Sequence, residues 1–319
     1  MFVQSMKFID RHKGNRNNIS IIGQESKPDT WKLCKMNLSI RGIAHDLGKT
    51  NASTFTNDQF KNRKVDYILA NPPFNLKNWR NEKELKDDPR FEGYPMPPTS
   101  NANYAWILHM ISKLDVSDGR AGFLLANGAL NASGDEYEIR KEILERDYVE
   151  AIIVLPRDMF YTTDISVTLW ILNMNKGARD LDGRKLRNRK NEVLFMDLRT
   201  WDENIEVITI DKNKSKKKVA FIDEQINEVK KIYQSWQEEN GDYKDVPELC
   251  QSVSLEEIRD KDYSLAPSKY IEFIDRDLDI DYEKEMARIQ KEMRDILKKE
   301  KESQTMMEEA FKEIGYGLD

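Results

Sequence analysis

A short apolar run, residues 65–70, ends on two consecutive prolines, Pro72 and Pro73, with Asn71 before them and Phe74 after. Neither proline offers a backbone N–H and each fixes its own φ, so a strand arriving here must stop. A nearly continuous apolar run of this length predicts a strand buried on both faces of a parallel sheet. Its carboxyl end then carries an amide, two constrained carbonyls and an aromatic ring on a stiff loop. In open α/β sheets, ligands bind at the carboxyl ends of the strands.

The rest of the chain alternates in the same style. Residues 19–23, 44–47, 121–126, 149–155, 166–173 and 193–198 read as strands, and helical spacing marks 1–12, 30–43, 103–114 and 135–147. That alternation predicts an α/β fold built on a doubly wound, mostly parallel sheet. Residues 76–100 form a long, polar, proline-bearing loop, of a length that is usually functional or mobile. Beyond about Thr200 the character changes. An amphipathic helix is expected over 221–239, a loop over 241–250, and a long charged helix from Tyr282 to Ile314. In that last helix Met286, Ile289, Met293, Ile296, Met307, Ala310 and Ile314 follow a three–four repeat, interrupted at Glu300 and Ser303. Such a stripe suits a helix that packs on a partner. The expected division is a sheet domain over 1–220 and a C-terminal helical region over 221–319.

Composition narrows the chemistry. The net charge of −6 gives no global attraction to nucleic acid, so DNA contacts must use local basic stretches. Residues 176–190 and 212–218 are such stretches, each able to neutralise phosphates. Cys34 and Cys250 make no disulfide framework and fit a reducing compartment. His12, His45 and His109 are far apart, so no metal site is expected. With no apolar run of about 18 residues and no signal-peptide core, the chain reads as cytoplasmic and not membrane-bound.

An Asn-Pro-Pro-aromatic strand exit suits alkyl transfer to an sp2-linked amine. The exocyclic N6 of adenine is a poor nucleophile because its lone pair is delocalised into the ring. The Asn71 side-chain oxygen and the Pro72 carbonyl can each accept one N–H and draw the amine toward tetrahedral geometry. Phe74 would stack on the base once it is flipped from the duplex. Glu25, at the end of the 19–23 strand, stands where an acid grips ribose hydroxyls in a doubly wound nucleotide site. Asp46, after the next strand, is a second acceptor.

The combination resembles the modification subunit of type I restriction-modification systems, which are S-adenosylmethionine-dependent DNA adenine-N6 methyltransferases. The resemblance rests on strand–Asn-Pro-Pro-Phe, on Gln24-Glu25 ending an earlier strand, and on Leu47-Gly48 with Thr56-Asn57-Asp58-Gln59-Phe60. It continues through Tyr104-Ala105-Trp106, residues 121–126, Leu155-Pro156, Met159-Phe160, residues 253–258 and Asp262-Tyr263-Ser264-Leu265. It implies a Rossmann-like methyltransferase domain with Asn71, Pro72, Pro73 and Phe74 as catalytic residues. Phe2, Glu25 and Asp46 would bind S-adenosyl-L-methionine. The implied partners are DNA, a specificity subunit contacted through Tyr282 to Ile314, a second modification subunit and a restriction subunit.

The resemblance departs at the start. In the family, Met-Phe-Val follows a strand and a glycine loop that cradles the methionine end of the cofactor, whereas this chain opens at Met1-Phe2-Val3. That strand is the central one, and its loss opens a gap of about 10 Å between the 19–23 and 65–70 strands. The chain therefore reads as an N-terminally truncated enzyme, inactive alone. Two other readings stand beside it: a non-catalytic scaffold that assembles with DNA or a specificity subunit, and a protein glutamine N-methyltransferase.

Overall fold

The structure is a computed structural model that describes residues 1–160, 163–181, 183–211, 214–274 and 282–313, without the side chains of 208–211 and 214–216. Helix α1 (Phe2–Arg11) is followed by β1 (Ile21–Ile22), α2 (Pro28–Ile40) and β2 (His45–Asp46). Pro28 opens α2, where its missing N–H would have had no helical partner. Next come β3 (Tyr67–Ala70), α3 (Asn103–Lys113), β4 (Arg120–Ala126), α4 (Asp135–Glu145), β5 (Val149–Val154) and β6 (Val167–Asn173). A short hairpin, β7 (Arg179–Leu181) and β8 (Arg184–Leu186), precedes β9 (Glu192–Asp197), and a longer one follows it, β10 (Ile205–Asp211) and β11 (Lys214–Val219). The remaining elements are α5 (Asp223–Gln237), β12 (Cys250–Ser254), α6 (Leu255–Asp260) and α7 (Tyr282–Glu313). Ile314, the expected last residue of the long helix, lies outside the described residues.

The central sheet has the order β12-β9-β5-β6-β4-β3. Strands β3 and β4 pair in parallel, as do β5 and β9, while β6 runs antiparallel between β4 and β5, and β12 runs antiparallel at the far edge. The fold is α/β as expected, with four of six strands sharing one direction. Strands β5 and β6 are joined without a helix, and such a connection favours an antiparallel pair. Strand β12 begins on Cys250, the last residue of the loop expected over 241–250.

Side chains alternate along β5 and β9 and build two cores. Ala151, Ile153, Leu194 and Met196 pack with Trp236 of α5 on one face. On the other, Ile152, Val154 and Phe195 join Ile107 and Leu108 of α3, Ile139 and Ile143 of α4, and Ile258 of α6. A third, smaller cluster of Met6, Ile21, Leu38, Ile43 and Leu47 holds α1 and α2 to the β1–β2 pair.

Strand β3 departs from expectation. Ile68 and Ala70 pack on the core, but Tyr67 and Leu69 are 68% and 57% exposed. Among the described residues β3 pairs only with β4, and β1–β2 form their own two-stranded parallel sheet. Paired on one side only among the described residues and with Tyr67 and Leu69 exposed, β3 is an edge strand rather than a doubly buried one.

Residues 76–100 are packed rather than loose. Trp79 is buried, donates Nε1–H to the Pro98 carbonyl at 2.8 Å, and packs at a tilt against the Phe55 and Phe91 rings. Buried Arg90 donates to the Thr54 and Phe55 carbonyls and pairs with Asp88 at 2.7 Å. The chain divides into two compact units, one ending at Glu272 and the other beginning at Phe273. No helix among the described residues is long and apolar enough to cross a membrane.

Candidate active site

Asn71 leaves β3 exposed, and its side chain makes no hydrogen bond to any described residue. Pro72 is buried and anchors the loop; its carbonyl likewise receives no donor from the described residues. Phe74 is half-buried and pairs with no other aromatic ring among them. Two acceptors and one ring are therefore presented together at the carboxyl end of a strand.

The loop is held from behind by a clamp that the sequence did not disclose. Asn75 sits in the left-handed region at φ 52°, a conformation that asparagine tolerates better than most residues. Its backbone N–H donates to Asn103 Oδ1 at 3.0 Å, and Asn103 Nδ2 donates back to Asn75 Oδ1 at 2.8 Å. Asn103 is 1% exposed at the start of α3, and the Ala102 N–H closes the same turn onto the Leu76 carbonyl at 3.0 Å. The sequence signal was an asparagine at a helix start, which reads as a cap because the partner lies 28 positions away.

The cofactor candidates gather at the ends of β1 and β2. Ile22 lies in register with Asp46, and the Gly23 N–H donates to the Asp46 carbonyl at 3.0 Å. A Cβ at Gly23 would meet Leu47 Cδ2 at 3.1 Å and Phe2 Cζ at 3.5 Å, so a glycine lets the Phe2 ring close over this turn. Glu25 Oε1 accepts from the Lys27 N–H at 2.8 Å, and Asp46 Oδ1 accepts from the Gly48 N–H at 3.0 Å. Each carboxylate thus braces its own turn through one oxygen, and the second oxygen has no partner among the described residues. Gln24, between them, donates to the Ala52 and Asn57 carbonyls and accepts from the Gln59 N–H, fixing the segment that leads to β3. Phe2 and Asp46 thus meet at Gly23, two residues before Glu25, while Asn71 to Phe74 are consecutive on the other loop. The two groups lie on separate sheets and no described contact joins them.

Other motif residues turn out to be packing. Tyr104 is fully buried, donates to the Ala129 carbonyl at 2.6 Å, and has its hydroxyl pushed up to about 12 by burial. Arg140 donates to the Tyr263 carbonyl at 2.7 Å, and Leu265 N–H to the Leu130 carbonyl at 3.0 Å. These contacts lock residues 262–265 beneath the segment that leaves β4. Glu136 lies nearby, and burial pushes its carboxyl up to about 7, with Arg140 opposing.

The two basic stretches separate. Residues 176–190 follow antiparallel β6 and so lie at the amino edge of the sheet, away from Asn71. Lys176 is buried and donates to Asp147 and to the Val149 and Glu192 carbonyls; Arg187 pairs with Glu192, Arg189 with Glu150, Arg184 with Glu238, and Arg179 with Asp118. These five cations are engaged within the fold, while Lys185 and Lys190 of the same stretch are exposed. Of the second stretch, residues 214–218 belong to β11, in the hairpin after β9 at the carboxyl edge, while 212 and 213 lie outside the described residues. Among the described residues there is no group of three or more His, Cys, Asp or Glu side chains placed to hold a metal.

Residues 1–278 match a protein-family model described as N-6 DNA Methylase. The type I restriction enzyme HindI methylase subunit of Haemophilus influenzae is 42% identical over 271 residues, which cover 85% of this chain and 56% of that protein. The MjaIX methylase subunit of Methanocaldococcus jannaschii is 31% identical over 322 residues, covering 99% of this chain and 54% of the relative. Among solved structures, a type I restriction-modification methyltransferase subunit from Streptococcus thermophilus superposes with a TM-score of 0.63 at 27% identity, over 79% of this chain and 48% of that one. The chain thus spans about half the length of the relatives it matches.

Proposed function

This chain belongs to the N-6 DNA methylase family, and from that premise we propose that it is the base-holding part of a DNA adenine-N6 methyltransferase. The observation that carries this reading is the pair of unbonded acceptors, Asn71 Oδ1 and the Pro72 carbonyl, on a loop clamped by Asn75 and Asn103. Together they accept the two N–H bonds of a flipped adenine amine and localise its lone pair on one face. Phe74 stacks on the base and replaces the neighbours it lost in the duplex. No strong base is required, because the amine proton becomes acidic once the fourth bond to nitrogen has formed.

S-adenosyl-L-methionine supplies an electrophilic methyl group when bound. The turn at Gly23 fits its nucleoside half: the free oxygens of Glu25 and Asp46 are acceptors for ribose hydroxyls and a ring amine, and Phe2 offers an apolar wall. In this reading the protein works in the cytoplasm with a specificity subunit, a second modification subunit and a restriction subunit. The specificity subunit docks on α7, where Ile289, Met293 and Ile296 are 43%, 60% and 64% exposed.

The test is tritiated-methyl transfer to DNA by the chain with its specificity subunit, with Asn71→Ala as the comparison. Removing one placed polar group of this kind costs about 10²–10³ in turnover. Equal turnover by the variant would overturn the role of the loop. A scaffold reading has one observation in its favour, the open edge of β3, and it predicts no transfer under any combination of subunits.

A further inference from the structure

The hairpin β10–β11 leaves the same edge of the sheet as the Asn71 loop. It follows β9, which runs in the same direction as β3, and the two strand ends are separated by four strand spacings through β4, β6 and β5. That separation is about 19 Å. The base of the hairpin is fixed: Val219 is buried, its N–H donates to the Asp158 carbonyl at 2.9 Å, and Ala220 N–H donates to the Asn204 carbonyl at 3.1 Å. Asp158 lies on the segment leaving the carboxyl end of β5. Beyond the base, Ile205 and Val207 are 51% and 67% exposed, and Glu206 and Lys217 are exposed as well. Six residue pairs in antiparallel register give an arm about 20 Å long.

Its charge reverses that of the chain. Residues 205–219 hold five lysines against Glu206 and Asp211, in a protein whose net charge is −6. The backbone register sets Lys218 across from Glu206, and exposed Lys217 across from Val207, which carries no charge. Strand β11 carries lysine and serine, with no Arg, Asn or Gln. Lysine and serine are suited to phosphate oxygens, contacts that position a protein on a duplex without reading its sequence.

We propose that the β10–β11 hairpin is an arm that grips the phosphate backbone of double-stranded DNA beside the target adenine. The proposal rests on the DNA reading above and adds where the duplex is held. Phosphates along one strand recur about every 3.4 Å, so a duplex laid along the carboxyl edge meets the arm about five or six base pairs from the adenine at Asn71. The amino-edge stretch, 176–190, plays no part in this contact.

The experiment measures binding of a short labelled duplex by the chain in complex with its specificity subunit, across salt from about 50 to 200 mM. Each phosphate contact contributes about 0.9 to the slope of log affinity against log salt, so Lys216→Gln with Lys217→Gln should reduce that slope by about 1.8. Lys185→Gln with Lys190→Gln, exposed at the amino edge, should leave it unchanged. Equal slopes for the arm variant and the unsubstituted complex overturn the arm, as does an equal loss in the amino-edge variant. Methyl transfer by the unsubstituted complex is scored in the same samples. Its absence counts against the methyltransferase reading whatever the slopes show, so the two failures are distinguishable.

Discussion

His109 and Glu136 hold protonation states that neither would hold in water, and they do so in opposite directions. Burial, reinforced by the neighbouring Arg90 guanidinium, lowers His109 from 6.5 to about 4 despite Asp58 and Asp88 close by; Arg90 Nη1 lies 3.2 Å from its Nδ1. Burial raises Glu136 from 4.5 to about 7. As pH falls from 6.5 toward 4, the unfolded chain protonates its histidine while the folded chain resists, so stability is lost. As pH rises from 4.5 toward 7, the unfolded chain ionises its glutamate first, and stability is lost in that direction. Between pH 4.5 and 6.5 the two slopes oppose and nearly cancel. Each is worth roughly 2 kcal/mol across the window after allowing for solvent screening. Urea midpoints of the unsubstituted chain should therefore be almost flat there. His109→Gln should make stability fall with rising pH, and Glu136→Gln should make it rise; two flat profiles would sink the assignment. None of this was legible in the sequence. His109 reads as one histidine of a helix and Glu136 as an ordinary acid in a first turn, because burial decides both and Arg90, 19 positions from His109, adds to the first. Asn71, Pro72, Pro73 and Phe74 were legible, since two prolines constrain the backbone whatever surrounds them.

Elements with long apolar runs were likewise readable, as β4, β5, β6 and β9 attest, because burying both faces leaves a signature in composition. Direction was not readable: β6 looks like its neighbours and runs against them. The short hairpin β7–β8 escaped because its strands are three residues each and charged, and its role emerges only from its partners. The stretch around it works as a staple. Lys176 donates all three of its protons, to Asp147 Oδ1, to the Val149 carbonyl at 3.0 Å and to the Glu192 carbonyl at 2.6 Å, joining the starts of β5 and β9. Next to it, Glu150 is wholly buried and accepts from Asn173, Tyr233, Arg189 and Gln237, which tie β5 to β6 and α5. Replacing Lys176 with Met fills the space but strands a carboxylate and two carbonyls. We expect a loss of about 2–4 kcal/mol in urea unfolding. Lys185→Gln, exposed in the same stretch, should change stability by less than about 0.5 kcal/mol. If both variants unfold alike, the staple is wrong.

At the scale of the whole molecule, two apolar surfaces stand open, and they belong to different units. One is the outer face of β3, with Tyr67 and Leu69 exposed. The other is the stripe along α7, where Met286, Ile289, Met293, Ile296 and Met307 recur on a helix with no buried residue. A 32-residue helix of this composition gains its stability from packing more than from intrinsic propensity. Its Arg288 pairs with Glu285 and Glu292, and such fully exposed ion pairs add little to stability. The stripe is therefore the part of α7 with the most to gain from a partner, at about 25 cal/mol per Å² of apolar surface covered. If the specificity subunit is that partner, Met293→Glu with Ile296→Glu should abolish co-elution with it. The same variant should leave the thermal unfolding of the first unit unchanged, because both side chains are exposed in the chain itself. Co-elution that survives the double substitution would remove α7 from the interface. Unfolding that shifts by several degrees would mean instead that the stripe packs on its own chain.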